Sequence, residues 1–146
     1  MAGNYVIAAL RPDQIVRAYP LIQAAVPTLG MVAWQRMASD AIRREEILVA
    51  VNPRGYIQGL SIYRHSDHPV VGPLLDVIFL IVTSAADERG LARTLFASIR
   101  SRAKELGCAQ IRFWNQNAGN WEQMHDEEQF HRLDHGLMML SGGKDP

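Results

Sequence analysis

An apolar run ending at Thr83 breaks into small and charged residues, and Gly90-Leu91-Ala92 then opens a stretch with helical spacing. A helix that starts without a side-chain cap presents unpaired backbone N–H groups, backed by the positive end of the helix dipole. Such a point binds phosphate. Gly90 and Ala92 lack bulk, so a diphosphate can approach the amides closely, and Arg89 and Arg93 can add charge-assisted hydrogen bonds. A plain turn is the competing reading of Gly90, because short Gly-x-Ala matches are common.

Other reactive residue types carry less. His65-Ser66-Asp67-His68 lacks a recognised metal-ligand spacing and reads as a solvated loop, and His125, His131 and His135 show no such spacing either. No metal site is assigned. Cys108 follows Gly107 at the head of an apolar strand, where a small buried thiol is the common case. Trp114 and Trp121 read as core, and Met124, Met138 and Met139 as core or interface filler. Arg43-Arg44-Glu45-Glu46 reads as a solvated helix end.

These residues must be held by a modest chain. Its 146 residues suit one domain, 1–146, with enough length to bury roughly 68–70% of the surface that the unfolded chain exposes. Fifteen basic and fifteen acidic side chains cancel, which argues against nucleic acid as a partner and leaves any anion to be held by local geometry. One cysteine excludes an internal disulfide and fits a reducing compartment. The start, Met1 to Gln14, lacks a basic segment followed by a long apolar core, and no run reaches about 18 apolar residues. A cytoplasmic protein without a membrane segment is expected.

Tyr5 to Leu10 reads as a first strand, and Asp13 as the N-cap of a helix with Ile15, Tyr19, Ile22 and Val26 at helical spacing. Pro20 should kink or split that helix. A second helix spans Met31 to Arg44, with Trp34, Met37 and Ala41 as its inner stripe. Two strands, Glu46 to Val51 and Tyr56 to Arg64, flank Asn52-Pro53-Arg54-Gly55, the residue order of a β-turn. A loop from His65 leads to Pro73–Thr83, nearly all apolar and so central and covered on both faces, with Asp76 as its one charge. A helix from Arg89 to Leu106 shows Ala92, Phe96, Ile99, Ala103 and Leu106 on one stripe and closes at Gly107. Cys108 to Asn115 is the next strand, Asn120 to Phe130 a last helix, and His135 to Ser141 a last strand. The order β-α-α-β-β-β-α-β-α-β specifies an α/β fold with a mixed sheet.

That order, with the Gly90 segment, resembles the GCN5-related N-acetyltransferases (GNAT), whose central sheet is mixed, mostly antiparallel and flanked by helices. The family binds acetyl-CoA with a loop of pattern Arg/Gln-x-x-Gly-x-Gly/Ala on the helix after the fourth strand. The pattern falls on Asp87 to Ala92: Gly90 and Ala92 match, and Asp87 stands where Arg or Gln belongs. Val82 matches a Val five residues ahead of the leading position. By element order the resemblance runs from Tyr5 to Ser141, and by motif from about Asp76 to Asn117.

The resemblance implies acetyl-CoA as acyl donor and a primary amine as acceptor. It implies that the pantetheine arm pairs with the backbone of Leu80, Ile81 and Val82 and that the diphosphate sits on the amides of Arg89, Gly90, Leu91, Ala92 and Arg93. Asn115 and Asn117 would flank the pantetheine. A carboxylate at Asp87, about 6 Å from a diphosphate, would cost on the order of 1–3 kcal/mol. An alkyl ammonium with pKa near 10.4 must lose a proton before attack, and Asp76 is the candidate base, on the strand face of Ile78 and Leu80. Backbone N–H groups near Leu80 to Val82 would hold the oxyanion. Many members reprotonate the thiolate with a Tyr after Asn-x-x-Ala; Asn115 to Ala118 fits that opening, but the Tyr position is Glu122, which takes the candidate role instead. Trp34 lies on a helix that borders the acceptor groove in this fold, so it reads either as core or as pocket wall. A member that binds acyl-CoA without turnover is the rival reading, favoured by Asp87 and the absent Tyr. A different nucleotide-binding α/β domain is another. Apolar residues in the last strand suit a homodimer.

Overall fold

The computed structural model describes residues 4–83, 87–114 and 118–126, and the backbone of 137–140. Six strands form one sheet in sequence order: β1 Val6–Ala9, β2 Ile47–Val51, β3 Ile57–His68, β4 Gly72–Val82, β5 Gln110–Phe113 and β6 Leu137–Leu140. Every neighbouring pair is antiparallel except β4 with β5, which is parallel. The sheet is mixed and mostly antiparallel, as the sequence indicates. At the β2–β3 turn the Asn52 side-chain oxygen accepts the amides of Arg54 and Tyr56, which is why Asn leads that turn.

Helices cover both faces. On one side α1 Ile15–Ala25 and α2 Met31–Ala38 pack Ile22, Trp34 and Ala38 against Leu60, Ile62, Ile78 and Phe79. On the other, α4 Glu88–Glu105 buries Leu91, Leu95, Ile99 and Ala103 against Ala50, Tyr63, Leu75 and Val77. Fully burying each Leu or Ile contributes about 1.5–3 kcal/mol. Gly59 makes the close approach possible: a Cβ there would lie 2.9 Å from Leu95 Cδ1. The missing side chain draws the first half of α4 down onto the sheet beside the end of β4.

Several elements differ from the sequence reading. Pro20 does not split α1: the helix runs unbroken from Ile15 to Ala25 with Pro20 on its exposed face. Asp13 lies in a single 3-10 turn, Pro12–Gln14, and pairs with Arg11 rather than capping α1. The second helix breaks at Asp40, whose carboxylate accepts the amides of Ile42 and Arg43 and starts α3 Ala41–Glu45. Ala41 is exposed; Trp34 and Ala38 face inward. His65 to His68 belong to β3 rather than to a loop, and α4 turns Leu91 and Leu95 inward where Ala92 and Phe96 were expected. The described part of the last helix is α5 Asn120–Gln123.

Candidate active site

The parallel ladder of β4 and β5 runs only from Leu74 opposite Gln110 to Val77 opposite Phe113, and a last bond joins Trp114 N to Val77 O at 2.9 Å. From Ile78 to Val82, β4 keeps β3 as its one described strand partner. Among the described residues the two strands pair no further, which makes a fork of this end of the ladder. Asn120 of α5, itself buried, donates to the Ile78 carbonyl at 3.3 Å and fills the base of the opening.

A bulge marks the same place. Opposite Ile62 and Tyr63 stand Phe79 and Val77, so Ile78 is an extra residue in β4. Ile78 and Phe79 consequently both face α1 and α2, and the alternation beyond them is reversed. Leu80 packs toward α4, on the opposite face from Ile78, which corrects the expectation that Asp76, Ile78 and Leu80 share a face.

The open end of β4 borders a groove of about 340 Å³ walled by Leu80, Ile81, Val82, Ala24 and Ala25 at the end of α1, and Glu88 and Ala92 of α4. Small side chains keep it wide. The amides of Glu88, Arg89 and Gly90 precede the first intrahelical bond of α4, from Leu91 N to Asp87 O at 3.0 Å. The donors free for an anion are therefore those three. Leu91, Ala92 and Arg93 were also expected to donate, but their amides fall within the helical ladder. Arg89 and Arg93 are exposed beside this turn. The Asp87 carboxylate lies back over it: a Cβ on Gly90 would come 2.3 Å from Asp87 Oδ1. Gly90 is bare where a carboxylate already crowds the backbone.

Asp76 departs from its expected role. It is 0% exposed, and its Oδ1 accepts from Arg112 Nε and from Trp114 Nε1, the latter at 2.8 Å. Arg112 is equally buried, stands directly opposite Asp76 in the β4–β5 register, and lies 5.4 Å above the Trp114 ring. The carboxylate charge is committed to the guanidinium, because breaking a buried pair strands a charge in low dielectric. Asp76 thus ties the closed end of the fork together, and an amine in solvent has no contact with it. Glu122 is exposed on α5, two residues past Asn120. Asn115 and Asn117 lie outside the described residues.

Trp34 is fully buried and donates to the Ile15 carbonyl at 2.7 Å, so it is core rather than pocket wall. Burial pushes the Cys108 thiol up from its ordinary value, helped by the negative charges of Asp67 and Asp76, which leaves it a poor nucleophile. Sequence reasoning missed Arg112, Trp114 and Asn120. Only the alternation of Arg112 and Trp114 along one strand hinted that both share a face.

Among solved structures, an aminoglycoside N-acetyltransferase in complex with CoA matches with a TM-score of 0.69 over 94% of this chain and 93% of that one, at 13% identity. A Trypanosoma brucei acetyltransferase matches at 0.62, covering 94% and 99%, at 16% identity. A GCN5-related N-acetyltransferase from Kribbella flavida matches at 0.63 over 83% of this chain and 32% of that one, at 12% identity. The fold is that of the GCN5-related N-acetyltransferases. No protein-family model and no curated protein matches the sequence. The groove beside α4 is walled by Leu80, Ile81 and Val82, just past the residues of β4 that pair with β5. No helix among the described residues is long and apolar enough to cross a membrane.

Proposed function

We propose that this chain is an N-acyltransferase that takes an acetyl group from acetyl-CoA and passes it to a primary amine. The observation that carries the proposal is the groove walled by Leu80, Ile81 and Val82 of β4 and by Ala24, Ala25 and Ala92, which reaches Glu88 at the uncapped start of α4. An extended amide-bearing arm fits a groove walled by strand residues, where it can hydrogen-bond to main chain. The residues that fit the donor are Leu80, Ile81 and Val82 for the arm, Ala24, Ala25 and Ala92 for clearance, and Glu88, Arg89 and Gly90 for the diphosphate amides. Bound there, acetyl-CoA supplies a thioester carbonyl for attack.

The chain's own part is positioning and charge. A β4 backbone N–H beside the groove donates to the negative charge that develops on the acyl oxygen, near Asn120, which holds the Ile78 carbonyl. Glu122, exposed beside the fork, exchanges protons with the amine or the departing thiolate directly or through water. Asp76 serves by holding β4 and β5 at the point where they part.

The second reading, a protein that binds acyl-CoA without turnover, is favoured by the Asp87 carboxylate lying over Gly90. Free thiol release from acetyl-CoA, followed across a panel of primary amines, separates the two. Amine-dependent release above background hydrolysis supports transfer. Saturable acetyl-CoA binding with no release for any amine supports the binder.

A further inference from the structure

A second cavity, of about 320 Å³, lies against the other end of the sheet, at β1 and β2. Its floor is two cross-strand pairs, Val6 with Val51 and Ala8 with Val49. The 3-10 turn and α1 supply a wall. Arg17 of α1 donates to the carbonyl of Gly55 in the β2–β3 turn, and both residues line the cavity, so one rim is closed by that bond.

Its polar groups are nearly all donors. Gln14 is only 4% exposed; its Oε1 accepts the Arg11 amide at 2.9 Å, while its Nε2 has no hydrogen-bond partner among the described residues. That nitrogen is within reach of solvent and can donate to a guest in the cavity. Arg17 has no carboxylate within 4 Å among the described residues, whereas Arg11, also at the rim, pairs with Asp13. Although Asp13 also feels the charge of Arg17, an aliphatic floor beside an amide donor and a guanidinium calls for one kind of ligand. The floor lacks an aromatic ring to stack on, and the Gly55 carbonyl is already taken by Arg17, which disfavours an aromatic or a zwitterionic guest.

We propose that this cavity binds a small branched aliphatic carboxylate, with its methyl groups on Val6, Ala8, Val49 and Val51 and its carboxylate on Arg17 and Gln14. The site is separate from the acyl-transfer groove and does not depend on that reading.

The test is a methyl-resolved NMR titration of the whole chain with isovalerate and, in parallel, its neutral counterpart isovaleramide. Isovalerate is expected to shift the methyl signals of Val6, Ala8, Val49 and Val51 saturably in the millimolar range, with isovaleramide at least about tenfold weaker, because charge-assisted bonds outweigh neutral ones. Arg17→Met should weaken isovalerate about tenfold, Arg17→Lys less, and Gln14→Leu about threefold. The wild-type comparison of acid and amide stands even if a variant folds poorly. Absence of a saturable shift at these methyls up to about 50 mM overturns the proposal, as does equal binding of acid and amide. Methyl shifts that follow protein concentration instead of ligand also overturn it, since a second copy of the chain would then be the occupant.

Discussion

The two halves of β4 share an apolar composition and do opposite work. From Leu74 to Val77 the strand is hydrogen-bonded on both edges and stapled to β5 by the buried Asp76–Arg112 pair. From Leu80 to Val82 it walls a groove, with β3 as its described strand partner. The divide falls at the Ile78 bulge, where the ladder to β5 stops and the faces of the strand exchange. A fork needs a firm crotch: an open strand edge binds a ligand in one register only if the strands below it cannot slide.

The largest effect is expected at the closed half. Arg112→Met leaves the Asp76 carboxylate buried and unpaired and should destabilise the fold by about 3–5 kcal/mol, while adding Asp76→Leu should return most of that loss. Denaturant unfolding of both variants reads it. A single-variant loss below about 1 kcal/mol would show that the pair does not staple the strands.

At the open half the expected effect is smaller and of opposite sign. Asp87→Asn removes a negative charge beside Gly90 and should tighten acetyl-CoA by about 5- to 150-fold, corresponding to about 1–3 kcal/mol. Calorimetric titration of the two proteins side by side checks this. An unchanged dissociation constant would mean that Asp87 swings clear when the ligand arrives.

Smallest is a pH effect outside both halves, at Glu46, where α3 meets β2. Burial raises its carboxyl above the usual value, against the lowering influence of Arg43 and the His65 amide. The folded state therefore holds a proton that the unfolded chain has lost, so the stability this group contributes is present below the unfolded carboxyl pKa and falls as pH rises through the folded value. Glu46→Gln should flatten the stability profile across that mildly acidic window. An identical slope in wild type and variant would remove Glu46 as its source.

Much of the fold was legible because its signals are local. The apolar run of β4, the Asn52 turn and the Gly90-x-Ala92 helix start each declare themselves within a few residues. What escaped the sequence depends on partners far along the chain. The Ile78 bulge follows from how β3 and β4 align, and it alone decides that Leu80 faces α4. Asp76 looked like a base because a lone charge in an apolar strand suggests chemistry, yet its meaning is fixed by Arg112, 36 residues later. The break at Asp40 was readable in principle, since a cap preference competed there with a continuing helical period. The sequence reading expected cofactor contacts at Leu80 to Val82 and Ala92, and these residues do share a groove; that Ala24 and Ala25 also wall it was not foreseen, because nothing in α1 announces where its end will lie.

The central claim, that the open half of β4 and the first turn of α4 form one acyl-CoA site, is tested most directly by thermal-shift titration of the wild type and of Gly90→Trp with acetyl-CoA. Ligand at a hundred times its dissociation constant stabilises by about 2.7 kcal/mol, a rise of a few degrees for a domain of this size. The account predicts that rise for the wild type and its loss in Gly90→Trp, with the unliganded variant still melting cooperatively. Equal rises in both proteins, or none in either at millimolar ligand, would contradict it.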